Sequence, residues 1–270
     1  MKQVCETLGV SRSGVYKASH PRCHYVKADD RKLLPLIERI LHERPSYGYR
    51  RICALINREL QERVNHKRIY RIMKQAGLLL PRHQERPEQV HNGRIIADSS
   101  NSRWCSDVFE IKCFNGEHIQ VCFILDCHDR EIISYTATSG YINSDMVCDM
   151  ALCGMEYRFG RVNALPEPIE WLTDNGPCYT SRKTKGFLME LGFAVCNTPP
   201  YSPESNGMAE SFVKTFKRDY VYVNDRPDSL TVIAALDKWF EDYNEIHPHK
   251  GLKMMAPREY IRKLSTSYVH

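Results

Sequence analysis

The sequence predicts an α/β protein in which a mixed β-sheet, covered by helices on both faces, follows an all-helical region of helix-turn-helix type. Three observations carry this. Residues 1–79 place apolar side chains at helical spacing. From residue 102 the pattern opens with period-two alternation and then alternates short strands with helices. The charge also changes sign between the two parts. The first 100 of the 270 residues hold 20 Lys and Arg against 10 Asp and Glu, while the remainder carries a net −5, giving +5 overall. A basic front joined to an acidic back points to a polyanion-binding module attached to a region that holds cations or does chemistry.

Taken in order, "CETLGVSRSGVYKA" reads as a short helix, a turn at Gly9 and a second helix capped by Ser11, with Arg12, Ser13 and Tyr16 outward. From Arg31 an apolar stripe of Leu33, Ile37, Ile40 and Leu41 makes a helix, which Pro35 must delay or bend. In "SYGYRRICALINREL" the residues Ile52, Leu55, Ile56 and Leu60 share a face. In "NHKRIYRIMKQAGLL", Asn65 is the expected N-cap and Gly77 lies just past the helix end. Ile69, Ile72 and Met73 face inward there, leaving Lys67, Arg68, Arg71 and Lys74 as a basic face suited to DNA. Residues 80–101 are polar, contain two prolines and lack periodicity, which marks a linker.

The core is expected over 102–262, with a tail at 263–270. "RWCSDVFEIKC" puts Cys105, Asp107, Phe109 and Ile111 on one face, and Asn115-Gly116 is a hairpin turn into "EHIQVCFILD". A third strand in "REIISYTAT" precedes a helix from about Ser144 to Phe159, closed by Gly160. Then follow a strand at Ile169–Thr173, a helix at about Ser181–Leu191, a strand at Phe193–Asn197 and a helix at about Met208–Tyr220. The order β-β-β-α-β-α-β-α requires a mixed sheet. Trp104 and Trp239 are expected in the core, as are Phe212, Val213, Phe216 and Tyr220.

Composition excludes several classes. Apolar residues make up 42%, yet no run approaches the ~20 needed to span a bilayer, so no membrane role is expected. The first 25 residues contain no apolar stretch of secretory type. Eleven cysteines, odd in number and without a Cys-x-x-Cys pair, read as reduced thiols of a cytoplasmic protein. His20, Cys23 and His24 cluster, but no second set of ligands follows, so no zinc site is expected.

Three carboxylates stand out from the layout. Asp107 lies within the first strand, Asp174 ends the strand "IEWLTDNG", and Glu210 lies in the first turn of a helix. Ligands gather at strand carboxyl ends in α/β sheets. Carboxylates from three elements converging there need cations between them, and Mg²⁺ or Mn²⁺ are the hard, oxygen-ligated candidates. Two such ions ~3.5–4 Å apart serve phosphoryl transfer.

"RWCSD", "WLTDNG", "SPESNGMAESFVKTFKRDY" and "YNEIHPHKGL" with "APREY", preceded by "YGYRRI" and "KRIYRIMKQAGLL", resemble the DDE transposases and retroviral integrases over nearly the whole chain. More narrowly, the chain resembles the second-reading-frame (OrfB-type) product of the bacterial insertion-sequence family made by translational frameshifting. The 35 residues between Asp174 and Glu210 fit that pattern.

The resemblance implies an RNase H-like catalytic core with Asp107, Asp174 and Glu210 binding two Mg²⁺ or Mn²⁺ ions. It also implies cleavage and strand transfer at insertion-sequence ends without a covalent protein intermediate. Lys217, seven residues after Glu210 on the same helical face, would touch the DNA end, with Lys214 and Arg218 beside it. Lys214 could equally form a local pair with Glu210. Many relatives have threonine where Phe109 stands. Expected partners are double-stranded DNA, the upstream-frame product or a fusion with it, and at least a second copy, in the bacterial cytoplasm at the nucleoid. A rival is a non-catalytic DNA-binding regulator of the full-length transposase. A retroviral-type integrase is disfavoured because no His₂Cys₂ motif is present.

Other tempting groups receive structural assignments. Asp126 shapes a turn with Asp129 nearby, Asn175 favours its Asn-Gly turn, and His247 and His249 pack or touch DNA instead of holding metal. Glu204, ahead of Asn206-Gly207, is not a metal ligand, and Pro203, Asn206 and Gly207 form the approach to Glu210.

Overall fold

In the computed structural model the described residues are 2–19, 30–81, 97–160, 163–197 and 207–267. The front region holds five helices: α1 (Lys2–Thr7), α2 (Arg12–Ser19), α3 (Asp30–Glu43), α4 (Tyr49–Leu60) and α5 (His66–Gln75). Gly9 takes the turn between α1 and α2 at φ +63°, a backbone that favours glycine. Pro35 lies inside α3 without ending it, so the expected delay does not occur. Leu33, Ile37, Ile52, Ile56, Ile69, Ile72 and Met73 close a separate small core. Leu60, expected on the buried face of α4, is exposed, and Cys53 takes an inward position instead, because α4 buries its middle and not its end. Asn65 Oδ1 accepts the Lys67 amide at 2.9 Å as the cap of α5, and Gly77 follows at φ +70°.

The core sheet contains β1 (Arg103–Lys112), β2 (His118–Asp126), β3 (Ile132–Thr138), β4 (Ile169–Thr173) and β5 (Phe193–Asn197), in the spatial order β3-β2-β1-β4-β5. β1 pairs antiparallel with β2 and β2 with β3, whereas β4 is parallel to both β1 and β5. The sheet is therefore mixed, as expected. The β1–β2 turn uses Asn115, whose side chain accepts the Glu117 amide at 3.0 Å, and Gly116 at φ +91°.

The sheet's two faces bury different sets of side chains, as strand alternation requires. On one side Cys105, Phe109, Ile111, Val121, Phe123 and Leu125 pack against α9 (Gly207–Phe216) and α10 (Ser229–Glu245). On the other, Trp104, Cys122 and Ile124 pack against α6 (Ser144–Phe159) and α8 (Arg182–Glu190). A short helix α7 (Pro177–Thr180), not expected from the pattern, precedes α8. Asn143 caps α6 and Gly160 follows it at φ +73°.

The helix expected to continue to Tyr220 is α-helical only to Phe216. From Lys217 to Val221 it widens into a π-helical turn, a feature that often marks functional sites. Trp239 meets Phe216 edge-on, and both tryptophans expected in the core are buried. The last helix, α11 (Pro257–Ser267), spans the expected tail boundary at 262. All ten cysteines among the described residues are free thiols. Among those residues no helix is long and apolar enough to cross a membrane.

The helical region rests on the core through polar contacts. Arg44 forks onto Asp242, with 2.5 and 2.7 Å hydrogen bonds. Tyr47 shares a 2.7 Å hydrogen bond with His247, and Arg58 pairs with Glu259.

Candidate active site

Strand parity selects one face for the acids. Asp107 lies between Cys105 and Phe109, both buried under α9 and α10. In β4, Leu172 packs toward the same side, and Asp174 is two residues further along. The parallel register pairs Cys105 with Leu172, so continuing it by two positions brings Asp107 level with Asp174. α9 covers β1 on that face, with the Phe109 and Phe216 rings 5.8 Å apart, and Glu210 lies in the first turn of α9.

Electrostatics tie these residues together. Burial pushes the Asp107 carboxyl up from 3.8 to about 6, the Val108 amide opposes this, and the charges of Asp174 and Glu210 add to it. Lys217 pulls the other way. The Lys217 ammonium lies 5.8 Å from the centroid of the Phe109 ring, an aromatic contact that a threonine would not supply. Asp174 is exposed at the strand end, where its Oδ1 accepts the Gly176 amide at 2.9 Å. A Cβ on Gly176 would stand 3.0 Å from that oxygen, so the Asp-Asn-Gly turn leaves room for this carboxylate rotamer. An open cleft of about 370 Å³ adjoins Asp174 and is lined partly by Gln120, Tyr141 and Cys178.

Glu210 Oε2 lies 3.4 Å from Lys214 Nζ, so the local pair foreseen for Lys214 forms, through an exposed and long contact. Such a pair is worth only ~0.3–0.5 kcal/mol. Among the described residues no three His, Cys, Asp or Glu side chains converge closely enough to hold a metal ion. Asp174 and Glu210 both lie near enough to Asp107 to raise its hold on a proton. As a donor set, three hard oxygen ligands from separate elements suit Mg²⁺.

The expected DNA-facing side chains divide into two groups. Arg12, Tyr16, Lys67 and Lys74 are exposed. Arg68 and Arg71 instead converge on the buried Asp30, at 2.6 and 2.5 Å. Arg218 pairs with Asp219 through 2.6 and 2.7 Å contacts while half its side chain stays exposed.

His247 and His249 are buried around Tyr243, and burial together with nearby arginines lowers the pKa of both, His249 to about 3. They pack as neutral rings. Asp126 accepts the amides of Asn101, His128 and Asp129, which makes it the organiser of the β2–β3 turn. Asp129 pairs with Arg158. His20, Cys23, His24, Pro203, Glu204 and Asn206 lie outside the described residues.

Two features had no signal in the sequence. The Gly176 amide that holds Asp174 depends on the turn's geometry. The Arg51–Asp219 pair at 2.8 Å joins residues 168 positions apart, beyond the reach of any local pattern.

The chain matches the Integrase core domain family over residues 97–203 and again over 191–257, and the HTH-like domain family over 27–86. It is 48% identical over 242 residues to transposase InsD for insertion element IS2A/D/F/H/I/K of Escherichia coli, covering 87% of this chain and 80% of that protein. The InsD transposase for element IS2-9 of Escherichia coli strain K12 is equally similar, with 78% of its length covered. In fold, the chain resembles a chain of the simian T-cell lymphotropic virus intasome bound to PP2A regulatory subunit B56 gamma. That likeness has a TM-score of 0.50 at 19% identity, over 77% of this chain and 73% of that one. With an integrase-type core on an RNase H-like sheet and an HTH-like helical region in front of it, the chain belongs to the family of insertion-element transposases related to IS2 InsD.

Proposed function

We propose that Asp107, Asp174 and Glu210 are the acidic triad with which this transposase cuts and rejoins DNA at the ends of its element, and that Lys217 positions the DNA end beside them. The observation that carries this is the behaviour of Asp107. Its half-buried carboxyl is raised by burial and by Asp174 and Glu210, and is offset by Lys217. Acids at the end of β4 and on α9 thus lie near enough to raise the proton affinity of Asp107 on β1, which supports the reading.

The triad would hold Mg²⁺ or Mn²⁺, two ions in all. When bound, they would supply an activated attacking oxygen and charge stabilisation on the leaving oxygen. The chain's own contribution is placement. The β1–β4 register, continued two positions past Cys105 and Leu172, would hold Asp107 and Asp174 side by side, and the Gly176 amide donates to Asp174. Lys217 offers a point charge to a phosphate from the widened turn after α9. No serine or tyrosine nucleophile is required, because water and then a DNA 3′-hydroxyl attack in line. Double-stranded DNA is the substrate and target in this reading, acted on in the bacterial cytoplasm at the nucleoid. Joining two ends calls for at least two copies and for the upstream-frame product or a fusion with it.

The test is an in-vitro reaction on element-end duplexes with Mg²⁺ or Mn²⁺. Asp174→Asn and Glu210→Gln should abolish cleavage and joining while DNA binding persists. Full activity in Glu210→Gln would refute the site. DNA binding by a wild-type protein that never cleaves, alone or with the upstream-frame product, would favour a regulatory role.

A further inference from the structure

A second charged feature lies away from the triad. The segment after α10 closes on itself: the His249 amide donates to Met255 O at 3.0 Å and the Met254 amide to His249 O at 2.7 Å. This strap sets two successive non-glycine residues, Lys253 and Met254, at φ +55° and +68°. Left-handed backbone is costly for such side chains and persists where the surroundings impose it. Its effect here is to bring Lys253 to a groove of about 640 Å³ whose other wall runs along α4 from Arg50 to the α4–α5 turn, with Arg63 and His66.

That turn is rigidly made. Asn57 accepts the Val64 amide at 2.7 Å and donates to Val64 O at 3.2 Å, while Asn65 caps α5. Arg50, Arg63, His66 and Lys253 are all exposed, and the groove lining includes no carboxylate. Arg50, Arg63 and Lys253 form no ion pair among the described residues. This contrasts with Arg44, Arg51 and Arg58 nearby, each of which is paired with an acid of the core. Three unneutralised cations and the amino end of α5 converge on one concavity.

We propose that this groove is a composite seat for the phosphate backbone of duplex DNA, formed jointly by the helical region and the core's C-terminal strap. Resting on the transposase reading above, it adds a contact from the core half of the chain: Lys253 holds the same strand segment as Arg50, Arg63 and His66. A backbone seat of this kind carries no base readout and sets the register of the duplex relative to the core. In a helix-turn-helix the first helix of the pair crosses the backbone, and Arg50 stands on that helix with Arg63 in the turn after it.

The experiment is fluorescence anisotropy of a labelled element-end duplex, titrated with full-length protein in EDTA at several salt concentrations. Lys253→Asn removes the charge while keeping a residue that tolerates left-handed backbone. Combined with Arg63→Ala, it should raise Kd about tenfold near physiological salt. It should also reduce the magnitude of the log Kd against log salt slope by about 2, as expected for two lost phosphate contacts. Lys253→Arg should restore affinity, and melting temperatures should stay near wild type since both residues are exposed. An unchanged slope in the double variant, with wild type binding normally, overturns the seat and leaves the transposase reading intact. Wild-type protein that binds no duplex, alone or with the upstream-frame product, defeats that reading together with the seat. An unchanged slope accompanied by weaker self-association in sedimentation would assign the groove to an acidic segment of a second copy, against the proposal.

Discussion

Arg51 Nη1 lies 2.8 Å from Oδ2 of Asp219, a carboxylate whose side chain has no solvent exposure. The pair joins the helical region to the π-helical turn that starts at Lys217, so the basic front of the chain is braced against the segment carrying a proposed DNA contact. Arg218 also pairs with Asp219. Removing Arg51 therefore leaves a buried anion with one half-exposed partner. Arg51→Ala should cost about 1–3 kcal/mol in chemical denaturation. Arg51→Lys should recover only part of this, because an ammonium is more strongly hydrated and costs more to hold beside a buried carboxylate. A variant as stable as wild type would mean that Arg218 alone satisfies the carboxylate.

Gly176 offers a sharper probe of Asp174. A methyl group there would stand 3.0 Å from Asp174 Oδ1, close enough to push this carboxylate off its present position by a few tenths of an ångström. The glycine's own backbone is not left-handed, so strain is not the issue. Gly176→Ala should lower cleavage of element-end duplexes about tenfold or more, since small misplacements at a reacting site are costly. Melting temperature should change little. Undiminished cleavage would show that Asp174 works from another rotamer.

The strands, the α6 boundaries and the carboxylate positions were readable from sequence because each follows a local rule: period-two burial, an Asn cap with a closing glycine, an acid at a strand end. The mixed sheet followed from element order. What escaped has physical causes. Helix α7 is a single turn at Pro177–Thr180, too short for periodicity. The π-helical turn carries Tyr220 and Val221 into the core, a packing that spans distant elements. Arg68 and Arg71 look like a free basic face until Asp30, about 40 residues earlier, arrives to neutralise them.

His247 and His249 predict an acid sensitivity. Both are held neutral in the fold, His249 down to about 3, while an unfolded chain titrates histidine near 6.5. Below 6.5 the unfolded state binds more protons, so their contribution is complete above that pH and is lost as pH falls. His249→Phe retains a ring against Tyr243 and removes a buried ring nitrogen, Nε2, that has no partner. Between about pH 6 and 4 the variant should lose less stability than wild type, by roughly 1.4 kcal/mol per pH unit. Parallel pH profiles would assign the acid transition to other groups.

Asp107 predicts the opposite sign in a neighbouring window. Its carboxyl rises from 3.8 to about 6, so the native state holds the proton more tightly than the unfolded chain. Its contribution therefore falls as pH increases from about 4 to 6, and above 6 the ionised group is a standing penalty. Asp107→Asn should be more stable than wild type at pH 7.5 in EDTA by about 1–2 kcal/mol, allowing for solvent screening of a partly exposed site. Near pH 4 the difference should vanish. Adding Mg²⁺ should raise the melting temperature of wild type and leave the variant nearly unchanged, because binding to the native state alone stabilises it. An Asn variant less stable than wild type at pH 7.5, with an equal response to Mg²⁺, would remove Asp107 from the triad.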